Sequence, residues 1–326
     1  MIQMLEQTTN TIRTDLINNG FRVGDVQSIN YGIQFSVSKG SYSRILRIYS
    51  SKKKGITIDA SQLGNGEDAD QVRKIISSPV EPTYVPATPS HDNFGYPLIG
   101  CDESGKGDYF GPLVTAAVYI TDGKVESSLR SIGVKDCKLL TDEQVLDIAD
   151  KIANLLTHRG YQIETLLPEE YNQKYDEITN LNKLLAWLHA SGIENLLDSL
   201  HGIVPIDIEL KKSYAMQITL LVDQFSHNEN ILKDELKTLG SCCKLIQKTK
   251  AESNIAVAAA SILARAEFLK CMYRMSNNYK IRFPKGATDV VSTGQTFVKA
   301  YGKNALKNVS KLHFKTTEQV VTCKND

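Results

Sequence analysis

The sequence predicts an α/β protein of two domains, the larger of which has a mixed sheet flanked by helices. Three observations support this fold class. Beyond residue 97, apolar runs of strand length alternate with longer runs of helical periodicity, which is typical of a sheet covered by helices. Residues 79–97 hold five of the nine prolines, a composition typical of a linker. The chain has 326 residues, which favours two domains over one.

We expect an N-terminal domain at residues 1–80, a proline-rich linker at residues 81–96 and a larger domain at residues 97–326. In the N-terminal domain a helical pattern spans residues 2–18 and ends at Asn19-Gly20. Three strand-like runs follow, INYGIQFSVSK, SRILRIYSS and GITIDAS, and a KKKG turn joins the last two. This order predicts a small α+β domain with an antiparallel sheet.

The larger domain alternates between strands and helices. Strands are predicted at YPLIGCDE and LVTAAVYI, and a helix begins after Thr141 and ends at Arg159-Gly160. A strand at YQIETLL and a helix at residues 181–201 follow. Strands at ITLLVDQF and CCKLIQ precede a long helix, NIAVAAASILARAEFLKCMYRM. The small residues of that helix, at positions 258–261, would let it lie close to the sheet.

Bulk composition excludes several classes of protein. The chain is 41% hydrophobic and 23% charged, which is ordinary for a globular protein. No apolar run reaches the ~18 residues of a membrane span, and the N-terminus lacks a secretory pattern. None of the six cysteines forms a C-x-x-C pair, so we expect free thiols and no zinc site. The absence of both a span and a secretory pattern predicts a cytoplasmic protein with no membrane partner. We also expect a monomer, since no obligate protein partner is evident from the sequence.

The distribution of charge favours a polyanionic partner. The net charge is only +1, but the residues from Arg265 to the C-terminus contain twelve Lys and Arg against four Asp and Glu. A second basic island comprises Arg44, Arg47 and residues 52–54. Basic islands on a nearly neutral chain are typical of proteins that bind nucleic acid.

The segment LIGCDESGKGDYFGPL, residues 98–113, resembles a P-loop at first sight. A P-loop requires Ser or Thr after the lysine and a helix that begins there. Here Gly107 follows Lys106, two acids lie inside the loop, and a β run comes next. The segment therefore predicts a strand, a glycine-rich turn and a second strand, and it argues against an NTPase.

Acidic residues are placed where this hairpin could form a cation site. Asp102 and Glu103 end its first strand and should point to opposite faces. Glu252 lies at the beginning of the long helix, and Asp223 ends an apolar strand, although Asp207 in VPIDIEL also ends an apolar stretch. Carboxylates gathered in this way favour Mg²⁺ or Mn²⁺, and paired ions are the known device for phosphodiester cleavage.

Several motifs together resemble the type 2 ribonucleases H, and among these the ribonucleases HIII. They are DESGKGDYFGPL with lysine between the glycines, VDQF, KAE followed by AVAAASILAR, FPKGA, and KDCKLLTD, in which Cys137 replaces the family's serine. The resemblance implies a ribonuclease H-like catalytic domain and an N-terminal domain similar to the TATA-binding-protein fold. It also favours Asp223 over Asp207, because VDQF is the family's sequence around the third acid.

The resemblance further implies an endoribonuclease that hydrolyses the RNA strand of RNA/DNA hybrids and leaves 5′-phosphate and 3′-hydroxyl ends. Its catalytic and metal-binding residues would be Asp102, Glu103, Asp223 and Glu252, with Mg²⁺ or Mn²⁺ as cofactor. The candidate substrate contacts are Ser104, Gly105, Lys106, Gly107, Tyr109, Lys138 and Lys250. Two alternatives remain, namely a metal-dependent nuclease of the same fold that acts on DNA and a non-catalytic hybrid-binding protein.

Overall fold

The computed structural model describes residues 2–29, 32–51, 55–77, 94–157, 159–200, 207–286 and 288–322. The chain divides into two compact units, Met1–Asp92 and Asn93–Asp326. Most of the expected linker, and the lysines of the KKKG turn, lie outside the described residues. The five cysteines within the described part are free thiols.

The N-terminal unit is a small antiparallel sheet with two helices. Its elements are α1 (Ile2–Asn18), β1 (Arg22–Val23), β2 (Gln27–Ile29), β3 (Gly32–Lys39), β4 (Tyr42–Ser51), β5 (Gly55–Asp59) and α2 (Glu67–Ser77). The strand order is β1-β3-β4-β5, and β2 also pairs with β3. Alternating residues such as Phe35 and Val37 are buried with Leu16 of α1 and Val72 of α2. The small α+β domain expected from the sequence is therefore present.

Arg44 and Arg47 lie on opposite faces of β4, because three positions separate them. Arg44 donates to the carbonyl of Ser43. The Arg47 side chain donates to Gln34 on the neighbouring strand over 3.1 Å. The two basic residues thus cannot contribute to one surface of this sheet.

The larger unit is built around a second sheet. Its elements are β6 (Leu98–Ser104), β7 (Leu113–Ile120), α3 (Gly123–Ser131), α4 (Asp142–Leu156), β8 (Tyr161–Leu166), α5 (Pro168–Ile178), α6 (Leu181–Ser199), α7 (Ile208–Ala215), β9 (Thr219–Asp223), α8 (Asn230–Glu235), β10 (Lys244–Lys248), α9 (Ile255–Tyr279), α10 (Val290–Tyr301) and α11 (Thr316–Val321). The sheet order is β10-β9-β6-β7-β8. Strands β6, β9 and β10 are parallel, whereas β7 is antiparallel to both of its neighbours. The predicted mixed sheet flanked by helices is confirmed.

Helices cover both faces of this sheet. On one face α9 lies so close to β6 that a Cβ added at Gly100 would be 2.3 Å from the backbone of Ala256. On the other face Ile99 and Cys101 pack with apolar residues of α6. A glycine at position 100 therefore allows the long helix to approach the strand that ends in the two acids.

The segment that resembles a P-loop is a hairpin. Strand β6 pairs with β7 in the register Leu98 to Ile120 through Ser104 to Val114, and no helix follows the lysine. The sequence-based choice of a strand, a turn and a strand is confirmed. Cys101 pairs with Val222, so the end of β6 lies beside the carboxyl end of its parallel neighbour β9.

Candidate active site

The two acids at the end of β6 point to opposite faces of the sheet. Asp102 lies toward α9, where the hydroxyl of Ser261 favours its charged form and lowers its pKa. Its Oδ1 accepts the backbone N–H of Glu103 over 2.8 Å. The side chain of Glu103 lies toward α6, where its Oε2 is 3.4 Å from Nε2 of His189. The alternation of a strand thus divides the pair between the two helical layers.

Asp223 ends the parallel strand next to β6. Its Oδ1 accepts the backbone N–H of Ala251 over 2.8 Å, which joins the end of β9 to the turn before α9. Asp207, the rival third acid, lies elsewhere and caps α7 by accepting the N–H of Glu209 over 2.7 Å. Asp223 reaches the cleft because it ends a strand of the sheet, whereas Asp207 precedes a helix.

Glu252 lies in the short turn Ala251–Ser253 that precedes α9. Its Oε1 accepts a hydrogen bond from Nζ of Lys138 over 2.7 Å. Its Oε2 is buried and has no hydrogen-bond partner among the described residues. Asn254 caps α9 by accepting the N–H of Ala256, so Glu252 is not needed as a cap.

These four acids line one cleft of about 310 Å³. The other lining residues are Ser104, Gly105, Lys106, Asp136, Lys138 and Ser261. The sequence did not single out Asp136, and it assigned Ser261 to helix packing. The position of Ser261 two turns into α9, beneath Asp102, was not recognisable without the crossing of α9 over β6.

The cleft is short of positive charge. Burial raises the pKa of Asp102 to about 7, and the negative charge of Glu103 adds to the shift. Burial also raises the pKa of Asp223, with a contribution from the charge of Glu252. Burial opposes ionisation of Glu252 as well, but the hydrogen bond and charge of Lys138 outweigh it and hold the pKa of Glu252 below its ordinary value.

This donor set suits a hard divalent cation. Mg²⁺ and Mn²⁺ prefer carboxylate oxygens, and a cation would offset both the burial and the charge repulsion that raise the pKa of Asp102. The unpartnered Oε2 of Glu252 is an oxygen that such an ion could use. Among the described residues, no three His, Cys, Asp or Glu side chains already stand in a metal-binding arrangement. The acids share the cleft without forming a closed ligand cage.

Lys106 is anchored inside the cleft. Its Nζ donates to the carbonyl of Phe225 over 2.8 Å and lies 3.9 Å from Oε1 of Glu103. The Phe225 ring stacks on the buried ring of His189, with the centroids 5.3 Å apart and the planes at 10°. Glu103 therefore lies between a lysine and a histidine that share one aromatic neighbour.

The remaining predicted contacts differ in accessibility. A Cβ added at Gly107 would meet no atom within 4 Å, so this part of the turn is open. Lys250 is exposed in a left-handed backbone conformation beside Glu252, outside the cleft lining. The Tyr109 side chain is only 2% exposed and packs against Phe110 in the core. The Tyr109 side chain is therefore away from any substrate surface. Four of the predicted substrate contacts line the cleft, namely Ser104, Gly105, Lys106 and Lys138.

Comparisons with known proteins agree with the motifs. A family model described as Ribonuclease HII matches residues 99–317. Ribonuclease HIII of Chlamydia felis is 39% identical over 225 residues, which are 69% of each chain. Ribonuclease HIII of Protochlamydia amoebophila is 34% identical over 293 residues, 88% of this chain and 89% of the relative. The resemblance inferred from the sequence is confirmed.

A solved structure resembles both units. Bst-RNase HIII in complex with Mn²⁺ superposes with a TM-score of 0.62 at 26% identity, and the match covers 96% of this chain and 95% of that one. The likeness therefore extends over the N-terminal unit, which the family model does not reach. No helix in the described part of the chain combines the length and apolar character of a membrane span.

Proposed function

This chain belongs to the ribonuclease HII family, and from that premise we propose that it is a ribonuclease HIII-type endonuclease that cleaves the RNA strand of RNA/DNA hybrids. The observation that carries the proposal is the cleft that Asp102, Glu103, Asp223 and Glu252 line together beside a glycine turn. Curated relatives named ribonuclease HIII support the substrate class.

Mg²⁺ or Mn²⁺ is the proposed cofactor, held by the four acids. The raised pKa of Asp102 and the unpartnered oxygen of Glu252 support this assignment. The Mn²⁺ named for Bst-RNase HIII supports it further. When bound, such ions supply charge neutralisation at the phosphate and a water of lowered pKa.

The reaction is hydrolysis of one phosphodiester. The oxygen of water forms a bond to phosphorus, the bond from phosphorus to the 3′ oxygen breaks, and the products are a 5′-phosphate and a 3′-hydroxyl. The water gives up a proton and the 3′ oxygen gains one. Glu103 or Glu252 would carry a proton at a carboxylate oxygen, since both line the cleft and each has a lysine neighbour.

The glycine turn provides for selection of RNA. An RNA strand differs from DNA by its 2′-hydroxyl, which both donates and accepts hydrogen bonds. Gly105 and Gly107 lack side chains, so backbone groups are accessible to that hydroxyl at the open Gly107 side. Ser104, Lys106, Lys138 and Lys250 are the proposed polar contacts along the same edge. Because the Tyr109 side chain is buried, only the backbone of Tyr109 could contact the substrate.

The two units would divide the work. We propose residues 97–326 as the catalytic domain and residues 1–80 as an additional substrate-binding domain, with the basic C-terminal region adding sequence-independent contacts to phosphates. One chain carries the whole cleft, so the proposed active species is a monomer.

A cleavage assay tests the proposal. A labelled RNA/DNA hybrid is incubated with Mg²⁺, Mn²⁺ or EDTA, beside matched DNA/DNA and RNA/RNA duplexes, and the products are resolved on gels. We expect cleavage of the hybrid alone, loss of cleavage in EDTA, and a rate at least about 10³-fold lower for Asp102→Asn. The matched control is Asp207→Asn, because it alters an exposed acid and retains a residue that caps helices well.

Each alternative predicts a different result. Cleavage of DNA/DNA would indicate a different nuclease on the same fold. Hybrid binding without cleavage under every metal condition would indicate a non-catalytic binding protein. ATP turnover that Lys106→Ala abolishes would restore the NTPase interpretation. An Asp102→Asn variant as active as wild type would exclude this cleft as the site of reaction.

A further inference from the structure

Lys311 is fully buried, although the sequence places it in the basic C-terminal region. Its side chain is 0% exposed. Its Nζ donates to the carbonyl of Asp108 over 2.8 Å and to the carbonyl of Gly111 over 2.9 Å. It also lies 5.5 Å from the centre of the Tyr171 ring. Within the described residues, this ammonium forms no ion pair with a carboxylate.

Burial of an ammonium in this way is unfavourable unless something compensates for its lost hydration. The environment of Lys311 accordingly lowers its pKa to about 7, mainly through burial. The compensation comes from the carbonyls of Asp108 and Gly111, which would otherwise lose these hydrogen bonds inside the protein. The lysine and the two carbonyls therefore satisfy one another's hydrogen-bonding requirements.

The two carbonyls belong to the turn that carries the proposed substrate contacts. The segment from Gly105 to Pro112 joins β6 to β7, and its first two residues line the cleft. The far side of the turn, residues 108–111, is bound to the C-terminal segment Val309–Lys311. The N–H of Lys311 donates to the carbonyl of Tyr109 over 2.9 Å, and the N–H of Gly111 donates to the carbonyl of Val309 over 3.0 Å.

A second contact holds the same turn from another side. Oδ1 of Asp108 accepts the N–H of Gly286 over 2.7 Å, and Phe110 packs against Phe283 with the centroids 4.9 Å apart. On the near side, Lys106 is anchored to Phe225 and Gly105 is closely packed, whereas Gly107 has open space around it. The N–H of Asp108 reaches the carbonyl of Gly105 only at 3.3 Å. The position of Gly107 in particular thus depends on how firmly residues 108–111 are held.

We propose that Lys311 is a positioning residue, which holds the carbonyls of Asp108 and Gly111 and thereby fixes the Gly105-Lys106-Gly107 segment for contact with the nucleic acid. Lys311 itself touches no substrate. The proposal rests on the proposed function for the identity of the substrate, but the fixing of the turn is a property of the free protein.

The test compares Lys311→Met, which keeps the length of the side chain and removes its donors, with Lys151→Met. Lys151 lies on α4, outside the basic C-terminal region, where it is 51% exposed and pairs with Asp147. Three quantities are measured on protein shown to be folded: amide hydrogen exchange by mass spectrometry, hybrid affinity by fluorescence anisotropy in EDTA, and steady-state cleavage with Mg²⁺.

For Lys311→Met we expect exchange of the 105–111 amides to accelerate about tenfold or more, because two hydrogen bonds from a charged donor are lost. Exchange in α4 should change less than twofold. The Kd for the hybrid and the KM should each rise about tenfold, while kcat falls less than threefold. Lys151→Met should match wild type within about twofold in hybrid affinity, in cleavage and in exchange at residues 105–111.

Two results would overturn the proposal. One is a folded Lys311→Met protein with wild-type exchange at residues 105–111. The other is an equal loosening of the whole unit with no separate effect on KM, which would make Lys311 an ordinary core residue. If Lys311→Met does not fold, Lys311→Gln replaces it, since glutamine keeps donors for the carbonyls. That variant should show a smaller, turn-selective acceleration of amide exchange, of about threefold. The absence of a turn-selective change would also overturn the proposal.

The exchange measurement needs no substrate. If wild type neither binds nor cleaves the hybrid, the proposed function fails while exchange still shows whether Lys311 holds the turn.

Discussion

The ammonium of Lys138 donates to Oε1 of Glu252 over 2.7 Å, while Oε2 of the same carboxylate is buried without a hydrogen-bond partner in the described residues. The Lys138 side chain is 78% exposed, whereas that of Glu252 is 14% exposed. An exposed side chain therefore places its positive charge on a carboxylate inside the cleft. In the free protein this ammonium and a divalent ion would compete for the negative charge of the same carboxylate.

Removal of this ammonium should strengthen binding of the metal. We expect Lys138→Met to lower the Kd for Mg²⁺ or Mn²⁺ about two- to fivefold, because an exposed ion pair contributes at most ~1 kcal/mol. Isothermal titration calorimetry measures the change directly. Lys151→Met is the control, since Lys151 pairs with Asp147 on the surface of α4. Unchanged or weaker metal affinity in Lys138→Met would show that Lys138 does not compete for Glu252.

Asp102 should make the stability of the metal-free protein depend on pH. Burial and the charge of Glu103 raise the folded-state pKa of Asp102 to about 7, above an unfolded value of about 3.9. The folded state then holds its proton more tightly, so stability is lost as pH rises from about 4 through 7. In EDTA the Tm of wild type should fall between pH 5 and pH 8.

Asp102→Asn should remove most of that fall and be more stable than wild type at pH 8 by about 2–4 kcal/mol. Differential scanning calorimetry in EDTA across this pH range gives the comparison. Asp207→Asn should retain the wild-type pH dependence. Millimolar Mg²⁺ should raise the Tm of wild type more than that of Asp102→Asn. Parallel pH profiles for wild type and Asp102→Asn would contradict the assignment.

The hairpin and its acids were predictable because they depend on local pattern. An apolar run that ends in Asp102 and Glu103, followed by glycines and a second β run, defines a strand, a turn and a strand without knowledge of distant residues. Asp223 was distinguishable from Asp207 through a motif, and the structure adds the physical reason, which is that only Asp223 ends a strand beside β6.

The surroundings of the site depend on contacts between distant segments and were not predictable. Tyr109 was expected to contact substrate, but residues 309–311, two hundred positions away, hold the backbone of its turn. Its buried ring packs against Phe110 and Phe314. Lys311 counted as one of many basic residues, and nothing in its local pattern indicates burial. His189 showed no ligand spacing, because its neighbour Glu103 lies on another element.

The two glycines of the turn should respond differently to alanine. Gly105 has a φ of +89°, and a Cβ there would lie 2.2 Å from the carbonyl oxygen of Pro112. Gly105→Ala should therefore destabilise the protein by at least about 1–3 kcal/mol. Gly107 has open space around it, so Gly107→Ala should change stability by less than about 0.5 kcal/mol. Urea denaturation measures both.

The KM of Gly107→Ala tests whether the substrate approaches the turn. If the backbone at Gly107 approaches the 2′-hydroxyl, a methyl group there should raise the KM for the hybrid several-fold in a protein of normal stability. Gly123→Ala, at a position without positive φ where a Cβ would meet only the Tyr96 ring at 4.0 Å, serves as the control for an added methyl group away from the cleft. A Gly107→Ala protein with wild-type KM would mean that substrate does not approach this residue closely.

Arg282 should contribute to the salt dependence of hybrid binding. It is exposed, and within the described residues it makes no ion pair. Its loop contacts the active-site turn through the hydrogen bond from Gly286 to Asp108. We therefore expect a duplex that crosses the cleft to bring a phosphate to this guanidinium. Each neutralised phosphate contributes about 0.9 to the slope of log K against log salt concentration.

We expect hybrid affinity, measured by anisotropy in EDTA, to fall about 100-fold between 50 and 200 mM salt if about four phosphates are neutralised. Arg282→Gln should reduce the magnitude of the slope by about one. Lys151→Met should leave it unchanged, because Lys151 lies on α4 in an ion pair with Asp147. A flat salt response in wild type would contradict the basic C-terminal region as a phosphate-binding surface. A steep response unaffected by Arg282→Gln would place the duplex away from the 280–286 loop.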